Sequence, residues 1–222
     1  MNERNQANER NQRNQQKPLR ADAERTVRAI LTAAERVLSD NPAATMEQIA
    51  EAAGVARTTV HRRFATREAL VEALTAWATR QFHEAVLGGS PAGAPPLVAL
   101  YQVTANVLRV KIGWGFAMSR SAPEDPETAR VHTEVLEQCD LLFRRARDAG
   151  VLRPDADLDW ARRVYYALIH EAAHERRSAA EARGPERDGA EGDGGQDVDA
   201  LATLVVDTLL RGVGRQAGVL GG

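Results

Sequence analysis

Apolar residues recur every three or four positions along most of this chain, which is the spacing that puts them on one face of an α-helix. The first clear stripe includes Val27, Ile30, Leu31 and Leu38, and it predicts an amphipathic helix over 22–39. No stretch shows the alternation of single apolar and polar residues that indicates a β-strand. The pattern therefore predicts an all-α protein.

Turn and capping residues divide this pattern into separate helices. Thr45 and Gln48 have the spacing of a capping box at a helix start, and Gly54 permits the left-handed turn that ends a helix. Thr66 is a natural N-cap for the next one. We expect helices over 22–39, 45–53, 57–64, from 66 onward, and over 97–119, 125–149, 157–182 and 198–213.

The same boundaries suggest two domains. Residues 1–17 repeat the motif NERNQ and have no apolar side chain larger than alanine after Met1, so residues 1–21 are predicted to be a disordered polar and basic tail. A small three-helix domain follows over 22–82 and a larger helical bundle over 83–222. Within the bundle, glycine and charged residues predict a flexible loop over 184–197.

Composition and charge narrow the class of protein. The 222 residues are 43% apolar, which is enough for a packed core, and no run approaches the roughly 18 apolar residues of a membrane helix. Residues 1–82 hold 13 Lys/Arg against 10 Asp/Glu. This N-terminal part therefore has a net positive charge, which favours a polyanionic partner there. The polar N-terminus and the single cysteine, Cys139, are typical of a cytoplasmic protein without a membrane partner.

The strongest motif is TMEQIAEAAGVARTTVHRRF at 45–64. Ile49, Val55, Val60 and Phe64 have the spacing to pack two short helices together across the turn at Gly54, as a helix-turn-helix requires. The other side chains of the second helix are hydrogen-bond donors suited to a DNA major groove, although a solvated basic face is the simpler alternative. These donors are Arg57, Thr58, Thr59, His61, Arg62 and Arg63.

With ILTAAERVL before this motif and TREAL after it, residues 22–82 resemble the DNA-binding domain of the TetR/AcrR family of bacterial transcriptional regulators. The resemblance implies that Arg57, Thr58 and Thr59 face base edges or nearby phosphates, and that His61, Arg62 and Arg63 address phosphates or bases. It further implies that Thr45 and Arg67 clamp the backbone at the starts of their helices. Ala56, Thr58 and His61 depart from the family's common pattern, and Ala56 removes a side-chain cap from the recognition helix.

The resemblance also assigns roles to the bundle over 83–222. It implies a homodimer formed by the last two long helices, a palindromic operator in double-stranded DNA, and a small-molecule inducer held in the bundle, with no cofactor. We therefore expect a ligand-responsive repressor that is cytoplasmic and nucleoid-associated when bound to DNA. Aromatic and other residues that could line the inducer pocket, or simply fill the core, are Tyr101, Trp114, Phe116, Met118, Phe143, Tyr165 and His170.

The stretch LIHEAAHERR at 168–177 raises a different function. His170-Glu171-x-x-His174 has the spacing by which a helix presents two imidazoles to zinc beside a glutamate base, so a zinc-dependent hydrolase is an alternative. The longer metzincin motif fails because Arg177 and Ala180 occupy its glycine and third-histidine positions. A metal-sensing regulator using both histidines, or ordinary packing with Glu171 and Glu175 paired to nearby arginines, stays open; we assign no metal site. A third function is DNA binding without sequence preference.

Overall fold

The computed structural model describes residues 2–88, 93–120, 126–183 and 193–214. All regular secondary structure in these ranges is α-helical, which confirms the all-α prediction, and one isolated antiparallel bridge joins Leu152 to Gly214. No described helix is both long and apolar enough to cross a membrane. The helices are α1 Asn2–Asp40, α2 Met46–Ala52, α3 Arg57–Arg63, α4 Arg67–Gly88, α5 Pro96–Gly113, α6 Gly115–Ser119, α7 Pro126–Asp148, α8 Leu158–Arg183 and α9 Asp193–Val213.

The chain forms two compact units, Met1–Thr75 and Ala76–Gly222, and the division falls inside α4. The sequence placed this boundary at residue 82. The difference arises because Phe82, which the sequence assigned to the first domain, packs against the core of the second unit. The second half of α4 is thus part of the helical bundle.

Helix α1 continues back to Asn2, through the tract that the sequence predicted to be disordered. Residues 2–17 contain four Gln, three Arg and two Glu, which have good intrinsic helix propensity, beside five Asn, which have less. They offer no larger apolar side chain after Met1 for tertiary packing. Local propensity is therefore the physical reason for a helix in this tract.

The core of the first unit is formed where α1, α2, α3 and the first half of α4 bury their apolar stripes. Ile30 and Leu38 of α1 are fully buried, as are Ile49 of α2 and Val60 of α3. Leu70, in the first half of α4, is also fully buried. These positions match the helical spacing in the sequence, so the predicted stripes of this unit are confirmed.

The second unit is built around α5, which packs against α7, α8 and α9. Its largest fully buried side chains are Tyr165 and Phe143, whose rings lie 5.5 Å apart in a tilted arrangement. The buried Tyr165 and Thr104 hydroxyls form a hydrogen bond of 2.7 Å, and Thr104 also donates to the Leu100 carbonyl. Both polar groups are thereby satisfied inside the core.

The single helix predicted over 97–119 is wrong, because α5 and α6 are separate helices. The backbone of Trp114 between them is not helical, with φ −131° and ψ 39°. Gly115 then starts α6 so close to α8 that an added Cβ would lie 2.7 Å from Cδ of Arg177. At the break, α6 thus begins against α8, a contact that periodicity along α5 does not reveal.

The last helix also begins earlier than predicted. α9 starts at Asp193, so residues 193–197 are helical where the sequence predicted the end of a flexible loop. The remainder of that predicted loop, residues 184–192, lies outside the described residues. At the other end of α9, the Arg153 amide donates to the Val213 carbonyl, which ties the segment between α7 and α8 to the end of the helix.

Candidate nucleic-acid interface and internal cavity

The turn between α2 and α3 is formed by local hydrogen bonds that the sequence specifies. The Thr45 side chain accepts a hydrogen bond from the Gln48 amide, and the Gln48 side chain accepts one from the Thr45 amide, so the predicted capping box is present. At the other end of α2, the Gly54 amide donates to Glu51 and the Val55 amide donates to Ala50. This is a Schellman motif, and it leaves Gly54 with a positive φ of 65°.

Replacing Gly54 by alanine is expected to destabilise the first unit by about 1–2 kcal/mol. An added Cβ would meet no atom within 4 Å, so the cost comes from the left-handed backbone alone. Chemical denaturation monitored by circular dichroism measures it. Gly54→Asn is the matched control, since asparagine tolerates this conformation; equal losses in both variants would contradict the explanation.

The exposed face of α3 carries the donors that the sequence predicted for DNA. Arg57, Thr58, His61, Arg62 and Arg63 are exposed and Thr59 is half-buried, whereas Val60 is fully buried against the unit's core. Ala56, the N-cap of α3, makes no side-chain capping bond, as its identity implied. One short helix thus presents a row of donors on a side that the fold leaves uncovered.

Arg57 is held in place by two neighbours. Its Nη2 lies 2.7 Å from Oε1 of Glu47 on α2, and its Nε donates to Nε2 of His61 one turn along α3 at 3.4 Å. The Glu47 pKa is lowered by its own backbone amide, by the Thr45 hydroxyl and by Arg57, so the carboxylate stays ionised opposite the guanidinium. Sequence reasoning missed Glu47, although its position in the first turn of α2 was visible.

Arg67 binds the segment that precedes α2. Its guanidinium donates to the carbonyl oxygens of Ala44, at 3.3 Å, and of Pro42. Thr66 accepts from the Ala69 amide and so caps α4, as its position indicated. The structure thus gives Arg67 protein partners on the loop that carries the Thr45 cap.

The second unit contains a cavity of about 490 Å³ lined by residues of α4 through α8. Its walls are largely apolar. The lining residues include Phe82 and Val86 of α4, Val103, Val107 and Lys111 of α5, Met118 of α6, His132, Val135, Leu136 and Cys139 of α7, and Tyr165, Tyr166, Ala167, Ile169 and His170 of α8.

Three of the seven predicted pocket residues, Met118, Tyr165 and His170, are in this lining. The other four lie elsewhere among the described residues. Tyr101 donates to Asp207 on α9 at 2.5 Å, and Phe143 is buried in the core. Trp114 occupies the break after α5, and the Phe116 ring lies 5.0 Å from the guanidinium carbon of Arg120.

Sequence reasoning missed several polar lining residues: Lys111, His132, Cys139 and Tyr166. Lys111 carried a usable signal, because it is a charged residue in the last turn of a largely apolar helix that also contains Arg109. The others lack such a signal, because helical spacing does not say which of several faces borders empty space. Only the packing of α7 and α8 around α5 brings them to one cavity.

The first unit matches a known family. A sequence model of the bacterial regulatory proteins of the tetR family matches residues 30–74. The HTH-type transcriptional repressor LfrR of Mycolicibacterium smegmatis is 36% identical over 147 residues, which cover 66% of this chain and 76% of LfrR. The regulator NfxB of Pseudomonas aeruginosa is 30% identical over 151 residues, covering 66% of this chain and 78% of NfxB.

The chain belongs to the TetR family of transcriptional regulators.

Solved structures agree with this membership. The crystal structure of LfrR from Mycobacterium smegmatis in complex with proflavine has a TM-score of 0.55 and 31% identity, covering 82% of this chain and 95% of that one. The TetR family regulator PfmR of Thermus thermophilus has a TM-score of 0.61 at 19% identity, covering 84% and 99%. The PfmR match supports the fold alone.

In this TetR-family chain, His170 and His174 lie on the exposed side of α8, and His170 also reaches the cavity lining. No group of three histidine, cysteine or acidic side chains able to hold a metal occurs in the described ranges. Arg176 pairs with Asp197, and Arg177 donates to the Lys111 carbonyl. These two arginines therefore have partners other than Glu171 and Glu175.

Proposed function

We propose that this chain is a ligand-responsive transcriptional repressor that binds a palindromic operator as a dimer and has no catalytic activity. The main support for the proposal is that α3 exposes a row of hydrogen-bond donors while its Val60 is buried in the core of the first unit. A short helix with donors on its exposed side fits the major groove of DNA. The similar protein LfrR is named a transcriptional repressor.

Arg57 is our choice for reading a base. A guanidinium can bond to both O6 and N7 of one guanine, whereas threonine and histidine make less discriminating contacts. Glu47 restrains the Arg57 side chain before DNA arrives, so less side-chain entropy is lost on binding. Arg62 and Arg63, at the end of α3, would bind phosphates and supply affinity without sequence preference.

Selection from a pool of random DNA duplexes tests sequence-specific binding. The full chain is expected to enrich a near-palindrome, because two recognition helices related by a two-fold axis read two half-sites about one helical turn apart. Enrichment of no sequence would contradict the proposal and leave DNA binding without sequence preference as the function.

Dimerisation is supported by apolar side chains left exposed on the last two helices. Trp160 of α8 is 56% exposed and Leu204 of α9 is 60% exposed. α8 and α9 pack against each other, and a patch of exposed apolar side chains is typical of a surface that another protein covers. We assign this surface to a second copy of the chain, since a palindromic operator requires a two-fold dimer.

Replacing Leu204 by glutamate is expected to convert the dimer to monomers at micromolar concentration, because each interface would bury two carboxylates without partners. Analytical ultracentrifugation measures the change. Leu141→Glu on α7 is the matched control, since Leu141 is 45% exposed and lies on a different helix. A wild-type monomer, or a Leu204→Glu dimer, would contradict the proposed interface.

The cavity supports the response to a ligand. On α4, Leu70 is part of the core of the first unit, whereas Phe82 and Val86 line the cavity of the second unit. A ligand that contacts Phe82 therefore acts on a helix whose first turn, at Thr66 and Arg67, belongs to the first unit. We propose that ligand binding favours a position of α4 in which the protein binds its operator less tightly.

A further inference from the structure

The ionisable nitrogen groups in the cavity lining are all basic side chains: Lys111, His132 and His170. No aspartate or glutamate is present among the described lining residues. Burial raises the pKa of Cys139 and of Tyr166, so these weak acids stay neutral. A cation entering the cavity would meet no countercharge from these walls.

Among the lining groups, the Lys111 ammonium would gain most from a negatively charged partner. Its side chain is half-buried, and its pKa is lowered by burial and by the nearby Arg177 guanidinium. The Arg177 guanidinium donates a hydrogen bond to the Lys111 carbonyl oxygen at 2.9 Å, which keeps the two positive side chains close. Two like charges in a partly buried place repel each other, and an anion beside Lys111 would offset both this repulsion and the lost hydration.

Tyr166 offers a second polar group. Its hydroxyl is buried beside the thiol of Cys139, which is its hydrogen-bonding neighbour in the described part of the chain. A thiol is a weak hydrogen-bonding group, so it compensates little of the cost of burying a hydroxyl. The hydroxyl can therefore donate to an acceptor on a bound molecule.

We propose that the cavity binds an amphipathic anion: an apolar body carrying one acidic head group, which pairs with the Lys111 ammonium. The inference rests on the proposed function, since it specifies the ligand of that same cavity. The apolar body would lie against Val103, Val107 and Ile169, which the lining provides. The preference is opposite in charge to proflavine, an aromatic cation at neutral pH that is present in the LfrR complex.

Two dyes of nearly the same shape test this charge preference. 8-Anilinonaphthalene-1-sulfonate carries a sulfonate, N-phenyl-1-naphthylamine lacks it, and both fluoresce when they enter an apolar site. In titrations of the full chain, Lys111→Met is expected to weaken sulfonate binding by about tenfold or more, the usual value of a hydrogen bond to a charged group. Binding of the uncharged dye should change by less than about twofold.

Three further variants locate the effect. Arg144→Met removes the same charge from an exposed position of α7 outside the lining, and it should leave both affinities unchanged. Lys111→Arg keeps the charge and should retain sulfonate binding, which separates charge from folding if Lys111→Met is less stable. Leu136→Trp fills the cavity from α7 and should weaken both dyes.

The possible results are distinguishable. Equal effects of Lys111→Met on both dyes, or tighter binding of proflavine than of the sulfonate, would overturn the charge preference while the cavity stays a ligand site. Failure of the wild type to bind either dye, or binding that Leu136→Trp does not weaken, would remove the ligand-binding part of the proposed function and this inference with it.

Discussion

Arg57→Ala is expected to lower affinity for the selected operator by about 5- to 150-fold more than it lowers affinity for scrambled DNA. A bidentate arginine–guanine pair discriminates by about 1–3 kcal/mol, whereas a phosphate contact contributes about equally to every sequence. The guanidinium is exposed and oriented by Glu47 and His61, so its loss leaves the buried core of the unit intact. Fluorescence anisotropy with both duplexes, at one salt concentration, measures the two affinities.

Arg57→Lys is the matched control for this prediction. Lysine keeps the positive charge but cannot form the two parallel hydrogen bonds, so scrambled DNA should bind as to the wild type while operator preference falls. Glu47→Gln tests the restraint on Arg57 and is expected to weaken operator binding slightly, because the free guanidinium is less ordered. Equal losses on both duplexes for Arg57→Ala would make Arg57 a phosphate contact.

Phe143→Ala is expected to lower the free energy of unfolding of the second unit by about 3–5 kcal/mol. Phe143 is almost completely buried and its ring packs against Tyr165, so removal leaves a cavity and breaks an aromatic contact. The sequence grouped Phe143 with the pocket, but the structure places it in the core outside the described lining. Urea denaturation followed by circular dichroism measures the loss.

Met118→Ala provides the contrast, since Met118 is half-buried and lines the cavity. It should cost much less stability than Phe143→Ala, and it should change binding of N-phenyl-1-naphthylamine. If Phe143→Ala instead left stability within about 1 kcal/mol of the wild type and abolished dye binding, Phe143 would be a ligand contact as the sequence suggested.

The helix-turn-helix could be predicted almost residue by residue because its signals are local. A capping box spans Thr45 to Gln48, the glycine turn needs only Gly54, and the donors of α3 follow from helical spacing around Val60. What escaped was the contact of Arg57 with Glu47, which joins two helices across the turn. Residues at that separation have no fixed relation in the sequence pattern.

The cavity shows the opposite case. Helical periodicity identified Tyr165 as an inward-facing aromatic residue, but the same signal also selected Phe143 and Tyr101. Phe143 packs in the core, and Tyr101 donates a hydrogen bond to Asp207. Whether an inward residue meets another side chain or empty space depends on how three or four helices pack. The sequence could not decide whether the HEAAH stretch binds a metal for the same reason, because a third metal ligand would have to come from another helix or loop.

By itself, the sequence determined that the protein is all-α, that residues 45–64 form a helix-turn-helix, and which side chains of α3 face outward. Those features depend on hydrogen bonds and spacings within about one or two helical turns. Only the tertiary structure decided that α5 ends at Gly113 and α6 begins at Gly115 beside Arg177, that no carboxylate is among the described residues lining the cavity at Lys111, and that α4 belongs to both units. These features arise from contacts between helices distant in the chain, whose relative placement the local pattern does not encode.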